Sequence, residues 1–117
     1  MNYNLFAPSG EIFYLKMSEQ TEKVYEKGVV FVGNKPLMKY VTAVIMQFNS
    51  ESLSKVTIKS RGKFISKAID VEEIVRKKFL KEKNLKIGEI SIGSEEFSNK
   101  EGKKLTVSTL AISLENQ

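Results

Sequence analysis

The segment KVTIKSRGKFISKAID, residues 55–70, contains the transition that decides the fold. Its first six residues alternate polar and apolar side chains, which predicts a β-strand. Gly62 follows as a turn residue, and from Phe64 onward apolar residues recur at helical spacing. The segment is therefore predicted to run from a strand through a tight turn into a helix, and it carries five cations but no acid before Asp70.

The sequence before this segment predicts another strand and helix. Residues 29–33, VVFVG, form a β-branched and aromatic run that is typical of a strand buried on both faces. Pro36 then opens a helix whose apolar residues occupy almost every side. Such a helix should be covered on more than one side.

The sequence after Gly62 predicts a helix and then a long hairpin. The helix is predicted to end near Leu80, and two β-rich runs at residues 87–97 and 104–114 are joined by a polar loop. The apolar stripe of this helix consists of Phe64, Ala68, Val71, Val75 and Phe79.

The predicted order is β-α-β-α-β-β, an α/β (α+β sandwich) fold with a long C-terminal β-hairpin arm. The chain has 117 residues, of which 41% are hydrophobic, and this suits one compact domain. We assign that domain to residues 28–117. Residues 1–27 lack a long periodic pattern and are predicted to be an N-terminal extension, partly disordered, with a turn at residues 8–10.

The composition argues against an enzyme. The chain has no Cys and no His, which excludes disulfides, thiol nucleophiles, histidine bases and most transition-metal sites. Glu95 and Glu96 are adjacent on a predicted strand, so they point to opposite faces and do not form a catalytic pair. We therefore expect no catalytic residue, no metal and no cofactor. A magnesium-dependent nuclease built on carboxylates is the alternative from another class.

The sequence gives little support to a phosphate-binding loop or to a membrane-spanning or secreted protein. Residues 28–35, GVVFVGNK, are spaced like a phosphate-binding loop, but Pro36 stands where a Ser or Thr must ligate magnesium. No apolar run approaches the roughly 20 residues that span a bilayer, and the N-terminus lacks the pattern of a signal peptide. We expect a cytoplasmic protein with no membrane partner.

The basic segment is the best candidate for a binding site. Lys59 and Arg61 share one face of the predicted strand, and Lys67 lies one helical turn beyond Lys63. Gly62 lets the backbone approach a phosphate without a Cβ, beside the amides of a helix N-terminus. A solvated charged face is the alternative interpretation.

These residues resemble a known family. The stretches VVFVGNKPLMKYVTAVIMQF, VTIKSRGKFISKAIDVEEIVRKKFL, EISIGS and VSTLAISL resemble, in order and spacing, the Alba family of small basic archaeal chromatin proteins that bind DNA and RNA. The resemblance covers residues 28–114, and its most specific part is the uninterrupted core I-K-x-R-G-x-x-I-S-K-A. It implies a homodimer that lays a basic face across the duplex backbone while two hairpin arms reach towards the minor groove.

The resemblance also implies roles for particular residues. Phe79 matches an aromatic that packs one dimer against the next along DNA. Phe97, at the base of the arm's loop, could pack on the hairpin or stack on a base. The implied nucleic-acid-binding residues are Lys35, Lys59, Arg61, Gly62, Lys63, Lys67, Lys100, Lys103 and Lys104.

Three features of the sequence depart from the family pattern. Asn34 stands where the family has the first lysine of a pair, which is its acetylated lysine, so the resemblance does not carry that regulation to this chain. Thr106 replaces a frequently basic residue, and the base of the arm carries Glu95 and Glu96. Both of these changes should weaken phosphate contact at the arm.

The sequence thus predicts a chromosome-associated protein that binds double-stranded DNA with little sequence preference, coats or compacts it, and also binds RNA. Its partners would be duplex DNA, RNA and a second copy of the chain, with higher assembly along DNA. A dedicated RNA-binding role, such as a subunit of a ribonuclease P-like particle, is the alternative within the binding proteins.

Overall fold

The computed structural model describes residues 25–116, which form one sheet with two helices on one face. Single-turn 3-10 segments lie at Gly62–Phe64 and Lys81–Lys83. The main elements are β1 (Tyr25–Glu26), β2 (Val29–Val32), α1 (Leu37–Asn49), β3 (Lys55–Arg61), α2 (Ile65–Ile74), β4 (Lys86–Ser98) and β5 (Lys104–Glu115).

The strand order in the sheet is β1-β2-β3-β5-β4. β2 and β3 are parallel and are joined through α1, whereas the other neighbouring pairs are antiparallel. The predicted α/β fold and its β-α-β-α-β-β order are confirmed, with the two-residue β1 added at one edge of the sheet. β4 lies at the other edge.

The core lies between the sheet and the two helices. Alternate residues of β3, Val56 and Ile58, are fully buried against the helices, as the two-residue period of a strand predicts. On β2, Val30 and Val32 are buried, but Val29 and Phe31 are only half-buried. The expectation that this strand is buried on both faces therefore fails for the single chain, because the helices cover one face of the sheet.

Helix α1 shows a similar difference from expectation. Its inner face is buried, but Met38 and Met46 are 48% and 42% exposed. A single chain therefore covers one side of α1 and leaves apolar surface on another.

Gln47 of α1 joins the first strand to the domain. Its side chain is 1% exposed, accepts a hydrogen bond from the Gly28 N–H at 2.8 Å and donates to the Glu26 carbonyl at 2.6 Å. β1 belongs to the segment that the sequence assigned to the N-terminal extension, yet it pairs with β2. The predicted turn at residues 8–10 lies outside the described residues, and the domain boundary at residue 28 stays a prediction.

The end of α2 explains why one member of the predicted apolar stripe is exposed. Residues Val75–Phe79 form a wide helical turn, in which the Leu80 N–H donates to the carbonyl of Val75, five residues earlier, at 2.8 Å. This turn holds one more residue than an α-helical turn. Leu80 is consequently buried at 3% exposure, while Phe79 is 47% exposed. The prediction that Phe79 belongs to the core stripe is wrong for this reason.

Candidate nucleic-acid interface

Three lysine-bearing features lie at one end of the strands, beyond the carboxyl ends of β2 and β3, and we call this end of the sheet the lysine edge. Because β2 and β3 are parallel, the turn after β2 (residues 33–35, the β2–α1 turn) lies beside the turn after β3 (Gly62–Phe64, the β3–α2 turn). The hairpin extends past this edge, since β4 and β5 stay paired for five residue pairs beyond the Arg61–Thr109 pair. At about 3.4 Å per residue, this arm (residues 94–108) projects by roughly 17 Å.

The β2–α1 turn is held by two side chains from the helices. The Lys67 ammonium donates to the carbonyls of Gly33 at 2.8 Å and Lys35 at 2.5 Å. The Tyr40 hydroxyl accepts from the Lys35 N–H at 2.9 Å. Asn34 is exposed and the side chain of Lys35 is half-exposed. The turn therefore presents Lys35 from a backbone that α1 and α2 fix.

The protonation behaviour of these two side chains reflects their burial. Burial lowers the pKa of Lys67, because the charged ammonium loses water. Burial raises the pKa of Tyr40, and the backbone N–H groups of Lys35 and Gly33 partly oppose that rise by donating to its oxygen. Both side chains thus belong to the interior side of the turn.

The β3–α2 turn requires glycine for two reasons. Gly62 has a φ of +58°, in the left-handed region that L side chains rarely adopt, and an added Cβ would lie 3.3 Å from Cγ1 of Val107 in the arm. The missing Cβ therefore makes room for the arm. Lys63 in this turn is exposed, with its ammonium 5.5 Å from the centre of the Phe64 ring.

Arg61 connects the end of β3 with the base of the arm. It is 2% exposed, and its guanidinium donates to Oε1 of Glu95 at 2.6 Å. The guanidinium also lies 5.8 Å from the centre of the Phe97 ring, a residue that is 5% exposed. Of the two alternatives for Phe97, the structure shows packing on the hairpin.

The tip of the arm is a short turn closed by its own residues. The Asn99 side-chain oxygen accepts from the backbone N–H groups of Glu101 and Lys103, each at 2.9 Å. The Asn99 N–H donates to the Lys103 carbonyl at 2.9 Å, and Gly102 adopts a φ of +84°. Lys103 and its neighbours Lys100 and Lys104 are exposed.

The structure separates the predicted site residues into two groups. One group has exposed or half-exposed side chains and comprises Lys35, Lys59, Lys63, Lys100, Lys103 and Lys104. Arg61 and Lys67 differ, because each hydrogen-bonds to other parts of the fold. Their assignment as phosphate ligands, like that of the other site residues, stays a prediction.

Sequence reasoning missed two residues that shape this edge. Helical spacing by itself predicts only core packing for Tyr40, although a buried tyrosine needs a partner for its hydroxyl, and that rule indicates a polar neighbour. Glu95 was expected only to weaken the arm's attraction for phosphate, yet its carboxylate accepts from Arg61. Arg61 and Glu95 are 34 residues apart in the sequence, so no local pattern indicates that they pair.

The described part of the chain shows neither a metal-binding cluster nor a membrane-spanning helix. No three of the Asp and Glu side chains within residues 25–116 are grouped to hold a metal ion. No helix within residues 25–116 is long and apolar enough to cross a membrane.

Comparison with known proteins agrees with this architecture. Two archaeal relatives are both named DNA/RNA-binding protein Alba. The one from Methanococcus maripaludis is 51% identical over 86 residues, which are 74% of this chain and 94% of the relative. The one from Methanocella arvoryzae is 47% identical over 89 residues, which are 76% of this chain and 90% of the relative.

Solved structures show the same fold. Alba from Thermoplasma volcanium superposes with a TM-score of 0.69 at 44% identity, covering 75% of this chain and 99% of that one. ALBA1 from Trypanosoma brucei, at 15% identity and a TM-score of 0.57, covers 79% of this chain and 71% of its own, and it shows the fold alone. The family described as Alba matches residues 28–94. The chain therefore belongs to the Alba family.

Proposed function

We propose that this protein binds nucleic acids through their phosphate backbone and carries out no catalysis. The observation that carries the proposal is the lysine edge, where two adjacent turns and a projecting arm carry lysines at the same end of the sheet. The names of the archaeal relatives, DNA/RNA-binding proteins, support it. Lysine ammonium groups attract phosphates but do not by themselves read base edges, so affinity should depend little on sequence.

Double-stranded DNA is the main ligand in this proposal, and RNA is a second ligand. The short turns suit contact with the backbone of a duplex, while the arm can follow a groove. A protein that binds in this way at many positions would coat or compact DNA. Its place in the cell would then be the chromosome in the cytoplasm.

A homodimer completes the proposed binding surface. β4 is an edge strand of the sheet in the described residues, and Ile90 and Ile92 on it are 57% and 80% exposed. Large exposed apolar side chains beside an unpaired strand edge favour pairing with another chain. A second copy would cover this surface and double the number of presented lysines. Sedimentation at micromolar concentration should show two chains, and Ile92→Asp should shift the protein to a monomer.

Phe79 is the proposed contact between neighbouring dimers on DNA. The wide turn leaves its ring 47% exposed, at a position where regular helical spacing would bury it. Phe79→Ala should therefore reduce the cooperativity of DNA coating and leave the affinity of one dimer for a short duplex unchanged. A loss of affinity on the short duplex would instead place Phe79 at the nucleic acid.

The proposed function is tested by titrating the full chain with several unrelated duplexes over a range of salt, and then by competing duplex DNA with structured RNA in one buffer. We expect similar affinities for the duplexes and a linear fall of log K with log salt. A strong preference for one sequence, or an affinity that does not change with salt concentration, would contradict contact through phosphates. Exclusive binding of the RNA would contradict duplex DNA as the main ligand.

A further inference from the structure

We propose that Lys67 is a positioning residue, whose ammonium holds the backbone of the β2–α1 turn so that Lys35 is presented to the nucleic acid. Its role differs from the phosphate contact that the sequence suggested for it. The inference deepens the proposed function and rests on it for the role of Lys35.

The surroundings of the Lys67 ammonium indicate an internal role. A lysine ammonium has three N–H donors, and two of them bind the carbonyls of Gly33 and Lys35. The nitrogen also lies 5.5 Å from the centre of the Tyr40 ring and 5.8 Å from that of Phe64. Two backbone oxygens and two aromatic rings therefore lie around the charge, although the side chain as a whole is only half-buried.

The turn depends on side chains because its own backbone lacks regular pairing partners. β2 ends at Val32 and α1 begins at Leu37, with Pro36, which has no N–H, as the residue before the helix. Among residues 25–116, no side chain caps the N-terminus of α1. Buried or half-buried peptide groups between these elements need other partners.

Lys67 and Tyr40 together bind both peptide groups of Lys35. The Lys35 N–H donates to the Tyr40 hydroxyl, and the Lys35 carbonyl accepts from the Lys67 ammonium. With both groups bound, the direction in which the Lys35 side chain leaves the turn is set by α1 and α2. Loss of Lys67 should free the turn and weaken binding through Lys35.

A double-mutant cycle separates positioning from direct phosphate contact. The full chain would be titrated with one duplex as wild type, Lys35→Gln, Lys67→Met and the double variant, at several salt concentrations. If Lys67 acts through the turn, Lys67→Met should weaken binding at least fivefold in the wild type and less than twofold in the Lys35→Gln background. With two independent phosphate contacts, the fold-losses in affinity of the two single variants would instead multiply in the double variant. Each substitution would then flatten the slope of log K against log salt by about 0.9 per chain. That result would overturn the proposal.

Lys63 provides the matched control, because it is an exposed lysine on the neighbouring turn. Lys63→Met removes the same charge, and its effect should multiply with that of Lys35→Gln. A Lys63→Met effect that disappeared in the Lys35→Gln background would show that non-additivity is general at this edge and would overturn the assignment to Lys67.

A second readout does not require nucleic acid. Hydrogen exchange of the Lys35 amide, which donates to the Tyr40 hydroxyl, should accelerate at least tenfold in free Lys67→Met and stay within twofold of wild type in Lys63→Met. Unchanged exchange in Lys67→Met would overturn the proposal whatever the binding data show. If Lys67→Met does not fold, Lys67→Gln is tested by the same two criteria.

The two readouts keep this proposal distinct from the proposed function. If Lys35→Gln and Lys63→Met both leave affinity unchanged, the lysine edge is not the binding surface, and the proposed function fails together with the presentation of Lys35. The exchange data would still decide, independently, whether Lys67 holds the turn.

Discussion

The β2–α1 turn and the tip of the arm both present lysines, but they are held in different ways. The turn is bound by Tyr40 of α1 and by Lys67 of α2, and Lys67 lies 32 residues away from the Lys35 carbonyl that it contacts. The tip is closed by four hydrogen bonds among residues 99–103, and each of the four involves Asn99. The geometry of the turn thus depends on the assembled fold, and that of the tip on its own sequence.

This difference predicts which substitutions affect which lysines. A change in the helices should alter the turn and leave the tip intact, whereas a change in the tip should leave the turn intact. The base of the arm is an intermediate case, because Arg61 of β3 and Glu95 of β4 pair there.

Glu95→Gln should have the largest effect on stability. The substitution removes the carboxylate charge beside a guanidinium that is 2% exposed, and we expect a loss of about 2 kcal/mol in the free energy of unfolding. Glu96→Gln is the matched control, since Glu96 is exposed and should change stability by less than about 0.5 kcal/mol. Urea unfolding of both variants measures the difference. Equal effects would show that the Arg61–Glu95 pair does not anchor the arm.

Tyr40→Phe should destabilise the protein by about 1 kcal/mol, because it removes the oxygen that accepts from the Lys35 N–H. Exchange of the Lys35 amide should accelerate while exchange at residues 101 and 103 stays constant. Thr42→Val is the control, since it removes an exposed hydroxyl from the same helix. Faster exchange at the arm tip in Tyr40→Phe would contradict the independence of the two regions.

Asn99→Ala should reduce stability by about 0.5 kcal/mol or less, because its hydrogen bonds are exposed. The amides of Glu101 and Lys103 should exchange faster, whereas the Lys35 amide serves as the internal control and should not change. A fall in stability as large as that of Tyr40→Phe would mean that the tip contributes to the core.

Asn34→Lys should leave stability unchanged and affect only binding. Asn34 is exposed in the β2–α1 turn, so a lysine there adds one charge per chain to the lysine edge. In a dimer, two new phosphate contacts should steepen the slope of log K against log salt by about 1.8, and acetylation of the new lysine should cancel the gain. Asn49→Lys adds the same charge at the far end of α1 and should have no such effect. Identical slopes for the two variants would show that the turn does not face the nucleic acid.

The order of strands and helices could be predicted from sequence because it depends on local periodicity. The alternation in residues 55–60 and the spacing of apolar residues in both helices reflect contacts with one adjacent layer. β1 was missed for the opposite reason. Its two residues carry no periodic pattern, and its attachment depends on Gln47, about twenty residues further along the chain.

The orientation of the cations could not be predicted in the same way. Lys63 and Lys67 are both lysines near the start of α2, yet one is exposed and the other binds backbone oxygens of a different element. The difference is set by carbonyls that are distant in sequence, and charge patterning alone does not reveal them. Phe79 shows a further limit, because the spacing rule assumes a regular helix and the wide turn breaks that assumption.

The wide turn at Val75–Phe79 also has an evolutionary consequence. The turn holds one residue more than a regular helical turn, so Leu80 takes the buried position that Phe79 would have in a regular helix. A related chain lacking one residue of this turn would form a regular helical turn in which the leucine, now four residues after Val75, stays buried and the aromatic just before it stays exposed. The residues after the turn thus face the same way with or without the extra residue, and the aromatic surface would persist in a lineage through a one-residue change in length.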